Sequence, residues 1–418
     1  MLNLPFILFS LTYLAAIGFY NPMGVLPGSM IKMLFCAFSL LAVVWGAFYG
    51  RKLRGIYYPR AFYWAIVLSM SFSVFMASAF HDQPLKTSII VTMPFVFSYM
   101  LFWTMMMLDV PKEQVIRFCL FLSLIAIPLY FANAATFPNF MFGGMTEKGE
   151  DLSRGILRVP VFSLNIIAMM VFYAINQVIL KKKPLMWTIL GCLFAFMIFM
   201  SVWRQYIVIV YALSVIFIFL NSSMLKRLIL ILFLGVIAGA VTQIPAVKAM
   251  IELSEDQSDA NDRDEDIRIY DYKYFGNESQ TNDVTRVFGN GAPSLGNSRW
   301  GIMMENEWDE LGTFPPDTGW AGYYWYYGAI AVLSVFILFL ISAIRKKRPD
   351  QQYLTYTFIM YLLIEIASGA ILRYDETVCI AIALYLLYGA GNSNSELIPE
   401  ATPSVRKRKL SLTDYHNS

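Results

Sequence analysis

The chain has 418 residues, of which 58% are hydrophobic and 15% are charged, and its formal net charge is +3. A soluble domain would carry about a quarter charged residues, so this composition, with a mean hydropathy of +0.56, excludes an ordinary soluble globular protein. Apolar runs of about 18 residues or more recur along the chain, which is the pattern of transmembrane helices. The sequence therefore predicts an all-α polytopic membrane protein.

Hydropathy divides the chain into about twelve predicted spans. The first of them lacks a basic n-region and a small-residue cleavage site, so it is predicted to be a retained helix and not a cleaved signal peptide. The apolar run 184–220 is too long for one span, because about 20 residues suffice to cross a bilayer, and it is predicted to be two helices that meet at Arg204. The predicted spans are 4–20, 27–49, 61–80, 87–108, 115–135, 160–180, 185–201, 205–221, 227–244, 319–344, 353–372 and 377–391.

Basic residues set the predicted orientation, because short cytoplasmic loops carry an excess of Lys and Arg. The stretch after every even-numbered span is basic, for example 51–60 after the second span and 345–348 after the tenth. Both termini are therefore predicted to be cytoplasmic, and the opposite face holds one long loop, 245–318, before the tenth span. We predict a single transmembrane domain, 1–391, that includes this loop, and a basic cytoplasmic tail, 392–418, that is disordered.

Cysteine and histidine usage excludes several kinds of site. The four cysteines fall inside apolar runs and show no disulfide or metal-ligand spacing. Because His81 and His416 are the two histidines of the chain, a His-based zinc site or a Ser-His-Asp triad is nearly excluded. No metal and no other cofactor is predicted.

Two further segments are weak signals for ligand binding. The acidic stretch 262–266 has the spacing of a calcium loop, but it lacks the central glycine and the closing glutamate. Gly289-Asn-Gly291 is not followed by Lys-Ser/Thr, so it is predicted to be a turn and not a P-loop.

The aromatic stretch 320–327 is interpreted either as an aromatic belt at the membrane interface or as a surface on which sugar rings stack.

Arginines gather on the predicted outer face, where short loops normally contain few of them. Ionisable residues at membrane depth are costly and mark functional sites by default, and the planar fork of Arg binds phosphate in two-point contacts. Two interpretations stay open: the arginines snorkel to lipid headgroups, or they share an anionic-ligand site for which a lipid-linked diphosphate is the natural ligand. The arginines of this face are Arg154, Arg158, Arg204, Arg263, Arg268, Arg286, Arg299 and Arg373.

Carboxylates near the same face are candidate general bases, because a carboxylate can accept the proton of a sugar hydroxyl as the hydroxyl attacks. Asp317 ends the long loop, Asp375 and Glu376 follow an arginine, and Glu365 lies within predicted span eleven, about two turns from that arginine. Structural alternatives also stay open. Asp317 would cap the helix that follows it, and Glu365 would pair with Lys32 or with an arginine.

Five sets of short segments carry a resemblance to a known family. They are Arg154-Gly-Ile-Leu-Arg-Val-Pro-Val-Phe-Ser-Leu-Asn165, Ser201-Val-Trp-Arg204, Arg268 with 270–275, Val287-Phe-Gly-Asn-Gly291, and Asp317-Thr-Gly-Trp320 with Tyr327-Gly-Ala-Ile330. These segments resemble the O-antigen polymerase (Wzy-type) and O-antigen ligase superfamily of integral-membrane glycosyltransferases. The layout is also similar, since that superfamily has about a dozen spans and one long periplasmic loop in the second half of the chain.

The resemblance implies transfer of a glycan from a polyprenyl diphosphate carrier to an acceptor hydroxyl, with inversion and without metal or nucleotide. It places the reaction at the periplasmic face of a bacterial inner membrane. Arg204 and Arg158 would stabilise the charge that develops on the leaving diphosphate, and Asp317 would activate the acceptor. The residues with implied substrate-binding roles are Arg154, Arg268, Arg286, Arg299, Arg373 and Glu365.

Within the superfamily we expect a polymerase of lipid-linked repeat units for O-antigen, capsule or exopolysaccharide. Ligases of the superfamily are expected to use a histidine in the long loop, and this loop has none. A flippase of the same lipids is the alternative from another class, but it should show internal repeats and midplane charges, which we do not find in the sequence. The expected partners are the lipid-linked donor and acceptor, the bilayer, a chain-length regulator and a flippase, and no nucleic acid.

Overall fold

The computed structural model describes residues 4–19, 28–49, 60–136, 142, 159, 161, 163–201, 203–221, 267–280, 282–366 and 368–389. Every regular element in these ranges is helical. The α-helices are α1 (Leu4–Ala16), α2 (Gly28–Tyr49), α3 (Arg60–His81), α4 (Leu85–Leu108), α5 (Lys112–Ala135), α6 (Leu164–Ile179), α7 (Pro184–Met200), α8 (Arg204–Leu220), α9 (Ile267–Lys273), α10 (Asp283–Phe288), α11 (Arg299–Leu311), α12 (Trp320–Ile344), α13 (Tyr353–Ile364) and α14 (Tyr374–Tyr388). A π-helical turn, Tyr274–Glu278, and 3₁₀ turns at Pro315–Asp317, Pro349–Gln351 and Ala370–Leu372 lie between them.

Five of the described helices are long and apolar enough to cross a membrane, and shorter apolar helices accompany them. The five are Met30–Phe48, Arg60–His81, Leu85–Leu108, Lys112–Ala135 and Trp320–Ile344. Large apolar side chains such as Phe48, Leu185 and Val208 are exposed along the helices, as expected where a helix faces lipid. The chain is thus a helical multi-pass membrane protein. Predicted span nine, loop residues 245–266 and the tail lie outside the described residues.

The long apolar run 184–220 is two helices, as the sequence predicts. Helix α7 ends at Met200 and α8 begins at Arg204. Between them, the Ser201 hydroxyl donates to the carbonyl of Ile198 at 2.7 Å and its oxygen accepts from the backbone N–H of Trp203 at 3.3 Å. Arg204 therefore lies at the N-terminal end of a helix and not in the middle of a span.

Predicted span eleven, 353–372, is shorter than the sequence suggests. Helix α13 ends at Ile364, and the 3₁₀ turn Ala370–Leu372 separates it from α14. Glu365 is therefore the C-cap of α13, and the expectation that it lies about two helical turns from Arg373 within one span is wrong. Hydropathy does not detect this break, because it averages composition over a window of sequence. Irregular backbone at membrane depth is stable only where other parts of the protein satisfy its hydrogen bonds.

Helix α12 is broken inside a membrane-spanning candidate. Gly328 has φ 79° and ψ 177°, which interrupts the helix. On the N-terminal side of the break, the N–H of Asn290 donates to the carbonyl of Trp325 at 2.8 Å, and the N–H of Gly291 donates to the carbonyl of Tyr326 at 3.0 Å. The Gly289-Asn-Gly291 segment thus uses backbone donors to hold α12.

The described part of the long loop folds around Trp325 of α12. The rings of Trp308, Trp300 and Phe275 lie 5.5, 5.9 and 6.0 Å from the Trp325 ring, measured between centroids. Trp325 is buried, and so are two tyrosines of the stretch 320–327. The interpretation of this stretch as a lipid-facing belt is therefore wrong for these side chains, and they are equally unable to stack on a sugar. Trp325 belongs to the core of the folded loop, whereas Tyr323 and Tyr327 belong to the core of the helix bundle.

Gln83 fastens the α3–α4 turn to the same loop. Its buried side-chain amide donates to the hydroxyl of Ser88 at 2.9 Å and to the carbonyl of Ala292 at 3.0 Å. Its carbonyl oxygen accepts from the backbone N–H of Ser294 at 2.8 Å and from the hydroxyl of Ser298 at 2.9 Å. All four hydrogen-bonding positions of the amide are used, so the loop is docked on this end of the helix bundle.

Candidate anionic-ligand site

Three connections, each taken with the helix ends beside it, meet at one place, which we call the junction: 201 with 203–206, 315–320, and 364–366 with 368–376. The first joins α7 to α8, the second leads into α12, and the third joins α13 to α14. The side chain of Gln205 donates to the carbonyl of Ile364 at 2.7 Å, which ties the first segment to the third. The junction therefore brings together positions that are far apart in the sequence.

Backbone contacts tie the second segment to the third. The N–H of Trp320 donates to the carbonyl of Glu365 at 2.9 Å, and the N–H of Gly369 donates to the carbonyl of Pro316 at 2.6 Å. Gly319 has φ +56°, and a Cβ there would lie 1.8 Å from the carbonyl oxygen of Glu365. A glycine is required at this position, since any side chain would push the two segments apart.

Glu376 is the centre of a hydrogen-bond network that joins three helices. Its Oε1 lies 3.3 Å from Nη1 of Arg373, and its Oε2 accepts at 2.9 Å from the side-chain amide of Asn165 on α6. The Tyr206 hydroxyl on α8 lies 2.9 Å from both this Oε2 and Oδ1 of Asn165, and donates to one of them. Glu376 is 7% exposed, and a buried carboxylate requires such partners. The network fixes the first turn of α14 against α6 and α8.

Arg373 reaches from this network to the α7–α8 turn. Its Cζ lies 5.7 Å from the centroid of the Trp203 ring, within the range of a cation–π contact. Trp203 in turn stacks on Tyr206, with 5.0 Å between the ring centroids and 16° between the planes. Since Trp203 directly precedes Arg204, the structure brings two of the sequence-predicted arginines to the same turn.

Glu365 is fully buried at the junction. Its Oε1 accepts from the backbone N–H of Ile371 at 2.8 Å, whereas its Oε2 has no hydrogen-bond partner among the described residues. Lys32 is exposed, and no ion pair joins it to Glu365 in the described part of the chain. The alternative that Glu365 pairs with Lys32 is therefore not supported, and the carboxyl group is held by backbone instead.

Asp317 is exposed in the 3₁₀ turn that leads into α12. The N-cap of α12 is Gly319, so the alternative that Asp317 caps this helix is wrong. Pro315 and Pro316 favour the separate 3₁₀ turn, because their fixed φ suits the start of a short helix and they lack N–H donors. Among the carboxylates of the junction whose side chains the structure describes, Asp317 is the one accessible to a ligand from solution.

Helix α9 carries Arg268 to the edge of the junction. The Tyr272 hydroxyl donates to the carbonyl of Ile366 at 2.5 Å. Burial, and secondarily the charge of Glu365, raises the pKa of the Tyr272 hydroxyl. Like any tyrosine hydroxyl, it is protonated at neutral pH and can donate. Arg268 precedes Tyr272 by one helical turn, which places its backbone on the same face of α9.

The remaining predicted arginines divide into two groups. Arg286 pairs with Asp283 at 3.4 Å and donates to Asn277 at 3.2 Å, all on the exposed surface of the loop. Arg299 is exposed at the first position of α11. Neither is brought to the junction by a contact among the described residues. Arg154, Arg158 and Arg263 lie outside the described residues.

Sequence reasoning missed three members of the network: Asn165, Trp203 and Tyr206. A signal was present for Asn165, because an amide in an apolar helix needs an internal partner at membrane depth. Trp203 and Tyr206 flank Arg204, but their aromatic character blends with a chain in which 16% of residues are aromatic. Their roles depend on contacts with α14, about 170 residues away in sequence for Tyr206 and Glu376.

No protein-family model matches this chain, and no curated protein matches it. What the protein does must therefore be argued from the chemistry of the junction.

The junction is suited to a polyanion. Helices α8 and α14 both begin there, at Arg204 and Tyr374, and the N-terminus of a helix favours negative charge through its free N–H groups and its dipole. Arg373, whose side chain is 48% exposed, adds a guanidinium within reach of a ligand. Among the described residues, no group of three or more His, Cys, Asp or Glu side chains is placed to hold a metal ion.

Proposed function

We propose that the protein is an integral-membrane glycosyltransferase that polymerises polyprenyl-diphosphate-linked repeat units into a surface polysaccharide. The observation that carries the proposal is the position of Arg373 over Trp203, the neighbour of Arg204. Two arginines and two helix N-termini at one end of an apolar bundle suit a diphosphate whose lipid tail lies in the bilayer. An O-antigen, capsule or exopolysaccharide polymerase has such a substrate.

The proposal assigns a topology to the whole chain. It has about twelve spans, with both termini in the cytoplasm of a bacterium and the junction facing the periplasm. In this scheme Arg154 and Arg158, which precede α6 in the sequence, also bind the substrate. Arg268 binds the substrate at the edge of the junction, and the buried Glu365 stabilises the junction. Arg286 and Arg299 act further out, on the glycan. A chain-length regulator and a flippase work beside the protein in this scheme.

The reaction requires one bond to break and one to form. The bond from the anomeric carbon to the phosphate oxygen breaks, and Arg204, Arg158 and Arg373 stabilise the charge on the leaving diphosphate. The acceptor hydroxyl oxygen forms the new bond from the opposite side of the sugar ring, which inverts the anomeric carbon. Its proton passes to Asp317, the exposed carboxylate of the junction. Neither metal nor nucleotide takes part in this scheme.

One observation favours a ligase as the second candidate. The sequence argument against a ligase was the lack of histidine in the long loop. His81, the last residue of α3, stacks on Trp300 of that loop with 4.1 Å between ring centroids, and its Nε2 lies 3.2 Å from Oδ1 of Asn290. A histidine is thus present beside the long loop in space although it is not part of it.

The products of the purified protein distinguish these functions. The protein is reconstituted in liposomes with the polyprenyl-diphosphate-linked repeat unit of its own host, alone or with a glycolipid acceptor. A ladder of lengthened, carrier-linked glycans supports the polymerase. Glycan found only on the added glycolipid supports the ligase. Movement of the lipid across the bilayer with no new glycosidic bond contradicts both and indicates a flippase.

A further inference from the structure

Glu376 is a buried carboxylate to which the proposed reaction gives no role. We propose that Glu376 is a positioning residue: it orients the Arg373 guanidinium towards the diphosphate and couples that arginine to the α7–α8 turn through Tyr206. This inference rests on the proposed function for the identity of the ligand. It gives Glu376 a role in the site, in addition to the roles proposed for the arginines and Asp317.

The guanidinium of Arg373 is held by contacts with two neighbouring side chains. An Arg side chain has many rotamers, and two-point binding of a phosphate requires its fork to be held in one plane. Arg373 is half exposed, yet it is constrained from two sides. Glu376 Oε1 lies 3.3 Å from its Nη1, and the Trp203 ring lies under its Cζ at 5.7 Å. These two contacts restrict the positions that are open to the guanidinium.

Both oxygens of the Glu376 carboxylate have partners. Oε2 of Glu376 is held at 2.9 Å by Asn165 from α6, and the Tyr206 hydroxyl from α8 lies at the same distance. With both oxygens engaged and 7% of its surface exposed, Glu376 is poorly placed to meet a substrate hydroxyl. Its orientation is instead a direct consequence of where α6 and α8 lie.

The contacts around Arg373 form a closed cycle. Arg373 contacts Glu376, Glu376 lies within hydrogen-bond distance of Tyr206, Tyr206 stacks on Trp203, and Trp203 contacts Arg373. A displacement of the turn that carries Arg204 therefore also displaces Arg373. The cycle keeps the two arginines in register, so that a single diphosphate meets both in a fixed geometry.

The test compares two Glu→Gln substitutions that differ only in place. Glu376→Gln keeps the size of the side chain and removes its charge, whereas Glu113→Gln makes the same change in the exposed pair of Glu113 with Arg117, 2.6 Å apart on α5. Misplaced catalytic groups cost roughly 10²-fold in rate, and we expect a loss of this order in glycan chain growth for Glu376→Gln. We expect no loss for Glu113→Gln.

A double-mutant cycle separates positioning from a general effect on folding. Glu376→Gln, Arg373→Ala and the double variant are compared for chain growth. If Glu376 acts through Arg373, the double variant is as slow as Arg373→Ala alone, because the effects of residues that act as a unit do not multiply. Multiplied effects, or wild-type activity of Glu376→Gln, overturn the inference.

A binding measurement makes the outcome independent of the proposed reaction. Farnesyl diphosphate, a short-chain prenyl diphosphate, is titrated into each variant, and the tryptophan fluorescence that Trp203 contributes is recorded against a Trp203→Phe reference. We expect Glu376→Gln to weaken binding roughly tenfold, in line with one lost charge-assisted contact. If the wild type binds in this pattern but makes no polysaccharide, the inference stands and the proposed function falls. A wild type that binds no diphosphate, or variants that bind equally, contradict the inference.

Discussion

Arg204 combines two features that favour an anion. It carries a guanidinium, and it occupies the first position of α8, where the backbone N–H groups of the helix are not used within the helix. The sequence alone predicts the break before Arg204, because the apolar run is too long for one span. The contact of Arg373 with Trp203, the residue before Arg204, was not predictable, since it depends on the packing of the start of α14 against the α7–α8 turn.

At the residue scale, Arg204→Lys tests whether the fork of the guanidinium matters or only its charge. We expect the lysine variant to lose at least about tenfold in chain growth, because a point charge cannot make two parallel hydrogen bonds to one phosphate. The rate of glycan elongation by purified protein measures this. Lys181→Arg, a change of the opposite sense at an exposed position in the α6–α7 connection, serves as the control. Equal rates for Arg204→Lys and the wild type would refute a two-point contact.

At the scale of elements, hydropathy located most helices but missed two interruptions. Helix α12 breaks at Gly328, and α13 ends at Ile364 although apolar residues continue beyond it. Hydropathy averages composition over a window of sequence. Both breaks, however, are stabilised by hydrogen bonds to backbone groups that lie far away in the sequence. The segment around Gly289 donates hydrogen bonds to carbonyls of α12. The carbonyl of Pro316 accepts a hydrogen bond from the segment after α13. Such long-range partners leave no local signal.

Gly289→Ala tests whether the loop segment is locked to α12. Gly289 has φ +82°, and a Cβ there would lie 2.2 Å from the carbonyl oxygen of Tyr326. Strain of this kind costs about 1–3 kcal/mol, and we expect a lower midpoint of thermal unfolding in detergent. Gly276→Ala is the matched control, because nothing lies within 4 Å of its Cβ position. Equal unfolding midpoints for the two variants would show that the contact at Gly289 is not maintained in the protein.

At the scale of the whole molecule, composition alone predicted the class of protein, and the five long apolar helices agree with it. The candidate site was predicted only in part. The sequence named Arg204 and Arg373 as members of one site, and it missed the polar side chains of Asn165 and Tyr206, which hold Glu376, the partner of Arg373. Charge counts identify ligands of an anion, whereas the residues that position those ligands are recognised only once the helices are packed.

The proposed orientation makes a separate prediction about the two faces of the membrane. Asn297, in the long loop, and Lys182, between α6 and α7, are both exposed. We expect Asn297→Cys to react with a membrane-impermeant thiol reagent in right-side-out vesicles, and Lys182→Cys to react only after permeabilisation. The native cysteines lie within the apolar helices α2, α5, α7 and α14 and serve as the background. Labelling of Lys182→Cys in sealed vesicles would reverse the proposed topology.

The central claim is that Arg204 belongs to a site for the diphosphate of a lipid-linked glycan. The most direct test incubates purified wild-type protein and Arg204→Ala with the polyprenyl-diphosphate-linked repeat unit and separates the products by length. The account predicts a ladder from the wild type and a loss of about 10²–10³-fold in the variant, as expected when a group that stabilises developing negative charge is removed. An undiminished ladder from Arg204→Ala, at equal expression and membrane insertion, would contradict it.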